Sequence, residues 1–278
     1  MKYALFTDNL ADLKIQSVCE EVKKRGFDGL DLTLRPGGHV LPEQAEMGLS
    51  NAHQVALRTG MQILMASTAV AGTDSPHARA VIESCAHYGV RQIKLGYWRY
   101  TGFGTLLKQI DSARKRLENL IKLTTRYEIQ PCVHVHSGDI LANGGSILYL
   151  ILKDFDPKTV GAYVDPMHMT VEGGLSGWEM GLDLVAPWVS LVGIKNFHWK
   201  PVGRDKYGQM QFRTQYVPLA DGQAPLPRFM KRLAELKYNG TVSLHSEYKG
   251  GSSFRRLSSP ELLDQSATDL KYLKSLVD

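Results

Sequence analysis

At 278 residues, with 43% hydrophobic and 22% charged side chains, the chain has the composition of a soluble globular protein and the length of a single α/β barrel, typically about 250 residues. No apolar run reaches the ~18 residues that span a membrane. Met1 leads at once into the strand-like Tyr3-Ala4-Leu5-Phe6, which fits no signal peptide and makes the cytoplasm the expected location. The net charge of +5 comes from scattered Lys and Arg, so neither nucleic acid nor membrane is an expected partner.

In chain order, strands are expected at 3–7, 29–34, 62–67, 92–97, 130–136, 160–165, 189–197 and 241–247. Helical patterns lie between and after them at 14–25, 44–59, 76–88, 105–127, 145–153, 176–185, 226–237 and 260–277. One phrase recurs: a helix closes on a basic or aromatic residue, a Gly turns the chain, and a short β-rich run begins. Lys24-Arg25-Gly26-Phe27 precedes Gly29-Leu30-Asp31-Leu32 in this way, and Arg58-Thr59-Gly60-Met61 precedes Ile63-Leu64-Met65. Several strands lack alternation, as strands covered on both faces should. Eight strands each followed by a helix predict a (β/α)8 barrel forming one domain over 1–278. An open doubly wound sheet fits less well, because Thr7-Asp8-Asn9 stands where its Gly-rich fingerprint belongs. Cys19, Cys85 and Cys132 have no metal-ligand spacing and are expected as reduced core thiols.

In such a barrel, chemistry sits at the carboxyl ends of the strands. Four strand ends carry groups that an apolar strand should not bury unpaired. They are Cys132-Val133-His134-Val135-His136, Tyr163-Val164-Asp165-Pro166-Met167-His168, Gly193-Ile194-Lys195-Asn196-Phe197-His198 and Ser243-Leu244-His245-Ser246-Glu247. Convergence of these imidazoles and carboxylates suits a divalent cation such as Mn²⁺, Mg²⁺ or Zn²⁺, or general acid–base work. Asp165 and Glu247 are the foremost candidates, and Lys195 is expected to contact substrate oxygen. His134, His136, His168 and His245 belong to the same mouth, with His198 at the start of a long loop. Loops 35–42 and 97–104 add His39, Trp98 and Arg99, where the aromatic residue can stack on a sugar ring. The loop 199–225, long, basic and aromatic, is expected to act as a lid.

These segments resemble the xylose isomerase-like barrel family of sugar isomerases and epimerases. The resemblance is most specific at Val164-Asp165-Pro166-Met167-His168 with Val171-Glu172-Gly173-Gly174, at Ile194-Lys195-Asn196-Phe197, and at Ser243-Leu244-His245-Ser246-Glu247-Tyr248. It implies one metal held by a Glu, an Asp, a His and a Glu from strands five to eight, the two Glu also moving the proton. Asp165 and Glu247 match two of these positions, and His168 matches a residue that touches substrate. The first Glu falls on His134 and the His falls on Gly193, so His134 would have to ligate, with His136 or His198 supplying the lost position. Glu247, His134 and Lys195 then form the expected catalytic set. The implied activity is isomerisation or epimerisation of a sugar, sugar phosphate or cyclitol, with a small carbohydrate as partner and a homo-oligomer as an open assembly. A lyase or dehydratase on a keto-sugar or polyol-derived acid would use the same proton abstraction. The changes at His134 and Gly193 also admit a non-catalytic sugar-binding or partner subunit.

Overall fold

Strands buried on both faces need helices outside and a filled barrel inside, and the chain supplies both. The computed structural model describes residues 1–277. Its parallel strands β1 (Lys2–Phe6), β2 (Gly29–Leu34), β3 (Gln62–Thr68), β4 (Gln92–Lys94), β5 (Gln130–His134), β6 (Gly161–Val164) and β7 (Val189–Ile194) follow in order around a closed barrel. An antiparallel pair, β8 (Asn196–Arg204) and β9 (Met210–Val217), intervenes before β10 (Thr241–Leu244) closes the ring between β7 and β1.

Helices α1 (Ile15–Lys24), α2 (Ala45–Thr59), α3 (Ala78–His87), α4 (Leu106–Thr124), α5 (Gly144–Leu152), α6 (Pro166–Val185), α7 (Leu226–Glu235) and α8 (Ser259–Lys274) follow the strands. Each buries a stripe at helical spacing, such as Val18, Cys19 and Val22 on α1. Gly60 ends α2 in the left-handed region at φ 67°, its N–H donating back into the last turn. Inside the ring a separate cluster of Met65, Cys132, Tyr163 and Leu191 fills the barrel. All three cysteines are buried and unpaired, as expected of core thiols.

Several boundaries differ from the sequence-based expectation, β5 and β10 among them, which stop at His134 and Leu244, and three differences have a clear local reason. β4 stops at Lys94 rather than 97: Leu95 N–H still donates to Cys132, but Gly96 N–H turns to Val70 O in the neighbouring loop (2.8 Å). The seventh run, 189–197, divides at Lys195. The buried Asn196 starts the hairpin, its amide donating to Leu219 O (2.8 Å) while its oxygen accepts from Phe197 N–H (2.9 Å) and Ala224 N–H (2.8 Å). α6 begins at Pro166, ten residues before the helix expected at 176, and carries a break at Gly174 (φ 62°, ψ −153°). The 199–225 segment is thus no bare loop. Most of it is a paired hairpin, with Phe197 opposite Tyr216 and His198 opposite Gln215, and its outer half is exposed.

Candidate active site

The site is built at the carboxyl ends of the strands, and Asp165 is its pivot. Asp165 is the N-cap of α6: its Oδ1 accepts from Met167 N–H (2.8 Å) and His168 N–H (3.2 Å), with Pro166 at the first helical position. That cap fixes the carboxylate and leaves Oδ2 buried with no hydrogen-bond partner. Oδ2 lies 3.9 Å from His134 Nε2, 3.8 Å from His168 Nε2 and 3.9 Å from Lys195 Nζ. Both imidazole nitrogens are also buried without partners. Three unsatisfied buried atoms so close together are costly unless something completes them.

His134, Asp165 and His168 each offer one ligand atom, all within 4.8 Å of one another, so these residues fit a divalent cation. Their second nitrogens differ. His134 Nδ1 is 3.0 Å from Tyr97 Oη, a hydroxyl that can accept its proton and leave a lone pair on Nε2. His168 Nδ1 accepts from Ser137 N–H (3.2 Å) and lies 2.8 Å from Ser137 Oγ. Ligation through His168 Nε2 therefore costs the amide contact and moves the ring proton to Nδ1, facing Oγ. His134 and Asp165 are the stronger pair of ligands.

Glu247 stands apart from that group. Its carboxylate is held by Lys195 Nζ at 2.8 Å, so the ammonium lies between two carboxylates. Burial pushes the Glu247 carboxyl up, but Lys195, with His245 and His136 behind it, holds the group below its usual range. Burial lowers Lys195 in turn, and Glu247 and Asp165 more than reverse this, so the lysine stays protonated. Asp165 is raised, because burial exceeds the pull of Lys195. Burial, reinforced by Lys94 at His134 and by Lys195 at His168, keeps both imidazoles well below the ordinary histidine range and neutral. His136 is brought down to about 4, chiefly by burial, and its Nδ1 sits 2.8 Å from Ser137 O, an acceptor that must take N–H from it.

At Gly193, where the resemblance implies a ligand, the space for a side chain is already taken. A Cβ there would meet the Tyr163 ring at 3.2 Å and Asp165 Oδ2 at 3.4 Å. The Tyr163 ring occupies this space, stacks on His134 (4.4 Å between centroids) and places its hydroxyl 2.7 Å from His245 Nε2. The expected substitutes for the lost ligand, His136 and His198, do not join the group: His136 packs its ring on His168 (3.9 Å), and His198 lies in the β8–β9 hairpin. His168 is the third member instead.

The pocket over these residues has a volume of about 320 Å³, at the small end of the range for ligand sites. His134, His136, Lys195, His245 and Glu247 line it, with Phe6, Tyr97 and Tyr216 as aromatic walls and Arg35, Asp8 and Ser252 at its edge. Three expected contributors point elsewhere. Trp98 donates its indole N–H to Ala71 O (2.9 Å) in a side groove that it shares with Arg99. His39 is tied to Thr33, whose Oγ1 accepts the His39 N–H (3.1 Å). Of the 199–225 segment only Tyr216 reaches the pocket.

Sequence reasoning missed two buried charged residues. Asp31 accepts from Ser243 Oγ (2.8 Å) and Tyr163 Oη (3.4 Å), and Lys94 lines the pocket floor. The signal that singled out the other four strands, a charge inside an apolar run, is equally present in Leu30-Asp31-Leu32 and Ile93-Lys94-Leu95.

Solved structures share the architecture at low identity. The chain is similar to the D-psicose 3-epimerase of Clostridium cellulolyticum H10, solved with D-tagatose (TM-score 0.74, 15% identity, 100% of both chains covered). It is similar also to the 3-keto-D-glucoside 4-epimerase of E. coli (TM-score 0.72, 15% identity, 99% of both chains). A third is a xylose isomerase-like TIM barrel protein of Mycobacterium smegmatis in complex with magnesium (TM-score 0.71, 16% identity, 100% of this chain and 98% of that one). No curated protein matches the sequence. The family model for the xylose isomerase-like TIM barrel matches residues 19–276, nearly the whole chain, and the protein belongs to that family.

Proposed function

We propose that this barrel moves a proton on the carbon next to the carbonyl of a small sugar or cyclitol, as an isomerase or epimerase. The observation that carries the proposal is the group of three unpartnered buried ligand atoms, on His134, Asp165 and His168, beside a pocket that His134, Lys195 and Glu247 line. His134 and Asp165, with His168 completing the set, would hold a divalent cation, which when bound would supply a Lewis acid toward the substrate's carbonyl. Two imidazoles with one carboxylate suit Zn²⁺ or Mn²⁺ better than Mg²⁺.

The chain's own residues do the rest. Glu247, ionised and facing the pocket, takes the proton from carbon. Lys195 donates to the oxygen on which negative charge develops, and needs no reorganisation because two carboxylates already hold it in place. His136, neutral and anchored through Ser137, presents Nε2 as the second proton carrier. Phe6, Tyr97 and Tyr216 offer apolar faces to the C–H side of a sugar, and their walls exclude water. Arg35, the cation at the pocket edge, is already paired with Asp8 at 2.5 Å, which favours a neutral sugar over a sugar phosphate. The epimerase activities named for similar structures agree with this chemistry at the level of family only. Among the described residues no helix is long and apolar enough to cross a membrane.

The test is solvent exchange. Metal-supplemented protein in D2O with D-fructose, D-psicose and D-tagatose should wash deuterium into the C–H beside the carbonyl, with a new epimer or isomer appearing. Glu247→Gln should slow this by roughly 10²–10⁴-fold, the usual worth of a general base. Sugars that bind without any exchange would overturn the proposal in favour of a binding protein. Loss of water from the sugar would show a dehydratase instead.

A further inference from the structure

The pocket holds two lysines with opposite surroundings. Lys195 is neutralised by Glu247 and Asp165. Lys94 is 4% exposed, lines the same pocket, and among the described residues its Nζ makes no ion pair and donates no hydrogen bond. Its one close partner is the face of Tyr97, 3.6 Å from Nζ to the ring centroid, which compensates a buried ammonium only in part. Asp31, a buried carboxylate two strands away on β2, does not take up the lysine as its ion pair and is bound instead to Ser243 and Tyr163. The flanking strands bring Ser67 and Cys132 into register with Lys94, and neither carries charge. Arg35 and Lys195 oppose its protonation, while Asp31 and Asp8 favour it from farther off than an ion pair. An ammonium buried without a partner loses its proton more readily than any other fate open to it. Burial above all, with Arg35 next, brings the amine down to about 7.

We propose that Lys94 is a nucleophilic amine that captures the substrate's carbonyl carbon as an imine at the floor of the pocket. The proposal rests on the reading that the substrate is a carbonyl sugar. The Nζ lone pair adds to the carbonyl carbon, the C–O π pair moves to oxygen, and both N–H protons leave with that oxygen as one water. The C=N bond takes one proton from solvent to become an iminium. An iminium withdraws electrons from the adjacent C–H as a cation-bound carbonyl does, so it supplies the same activation in a site where Gly193 has removed one ligand position. Two amines whose environments diverge divide the work between them: Lys195 stays charged, and Lys94 gives up its proton near neutral pH.

Reductive trapping tests this on the wild-type chain. Protein is incubated in chelator with dihydroxyacetone, or with glycolaldehyde, and cyanoborohydride, then digested and mapped. Lys94 should gain the mass of the carbonyl compound less one oxygen, at least tenfold faster than the exposed Lys108. D-psicose or D-fructose should slow that labelling. Lys94→Met, which keeps the volume and removes the amine, should show only surface labelling. Labelling of Lys94 no faster than Lys108 with both probes overturns the proposal. Sugar binding, followed separately by ligand-observed NMR, distinguishes the two readings. Binding and deuterium exchange without trapping leave the isomerase standing and remove the imine. Trapping at Lys94 without sugar exchange keeps the amine and removes the isomerase.

Discussion

The two oxygens of Asp165 have different partners, and the difference can be measured. Oδ1 caps α6 and Oδ2 faces the imidazoles. Asparagine caps a helix about as well as aspartate, so Asp165→Asn should unfold within about 1 kcal/mol of the wild type while losing divalent metal. Asp165→Ala loses the cap as well and should be destabilised by roughly a further 0.5–2 kcal/mol in urea melts. Equal destabilisation by the two would mean that the cap contributes nothing. Lys94 makes the opposite prediction, that removal of a site residue stabilises. Its folded pKa of about 7 lies below the ordinary lysine value of about 10.4. Between those pH values the unfolded chain holds a proton that the folded chain lacks, so stability rises with pH across that window. Below pH 7 the whole penalty applies, on the order of a few kcal/mol at about 1.4 kcal/mol per unit. Lys94→Met should therefore be more stable than the wild type at pH 6.5, with the gap shrinking toward pH 10. A gap independent of pH would show that Lys94 is not desolvated.

Between elements, the exchange of Gly193 for a larger residue is governed by β6 rather than β7. Tyr163 fills the space that a side chain at 193 would need, so Gly193→His should cost about 1–3 kcal/mol by overpacking. Adding Tyr163→Ala should recover part of this, and thermal melts of the two singles and the double mutant measure the coupling. Additive effects would contradict the packing account. Nothing in the sequence joins residues 163 and 193: the loss at Gly193 was visible, but its compensation lies across a strand pair. The hairpin was hidden for another reason. Its strands carry Trp199, Val202, Phe212 and Tyr216 among Lys and Arg, and the outer half is exposed on both faces, so no burial pattern marks it. The early start of α6 was legible in principle. Asp165-Pro166 is a cap followed by a first-turn proline, and the apparent strand end drew attention away from it.

For the whole molecule, the barrel was legible because eight apolar strands, each followed by a helical pattern, repeat one unit, and periodicity survives errors of a few residues at each boundary. The mouth was legible in four strands, because burying His, Asp, Lys or Glu in an apolar run demands an explanation. What escaped was depth. Asp31 and Lys94 obey the same rule, yet each sits inside its apolar run, and only the closed ring shows that Lys94 lines the cavity while Asp31 is buried on Ser243 and Tyr163. Selection between His136, His198 and His168 likewise depended on distances that no spacing contains. The family relationship secures the architecture but not a ligand set, because His134 and Gly193 stand where the resemblance implies a Glu and a His, while the barrel is intact.

The most direct measurement is the divalent metal content of the full chain purified without chelator, followed by calorimetric titration of the stripped protein with Zn²⁺, Mn²⁺ and Mg²⁺. The geometry predicts one ion per chain, bound more tightly as Zn²⁺ or Mn²⁺ than as Mg²⁺. Binding should be abolished in Asp165→Asn and His134→Ala and weakened less in His168→Ala, because His168 must give up the Ser137 amide to ligate. Bound metal should also raise the melting temperature by mass action. A folded wild-type chain that takes up no divalent ion, or that binds one equally well without His134 and Asp165, would contradict the site assigned here.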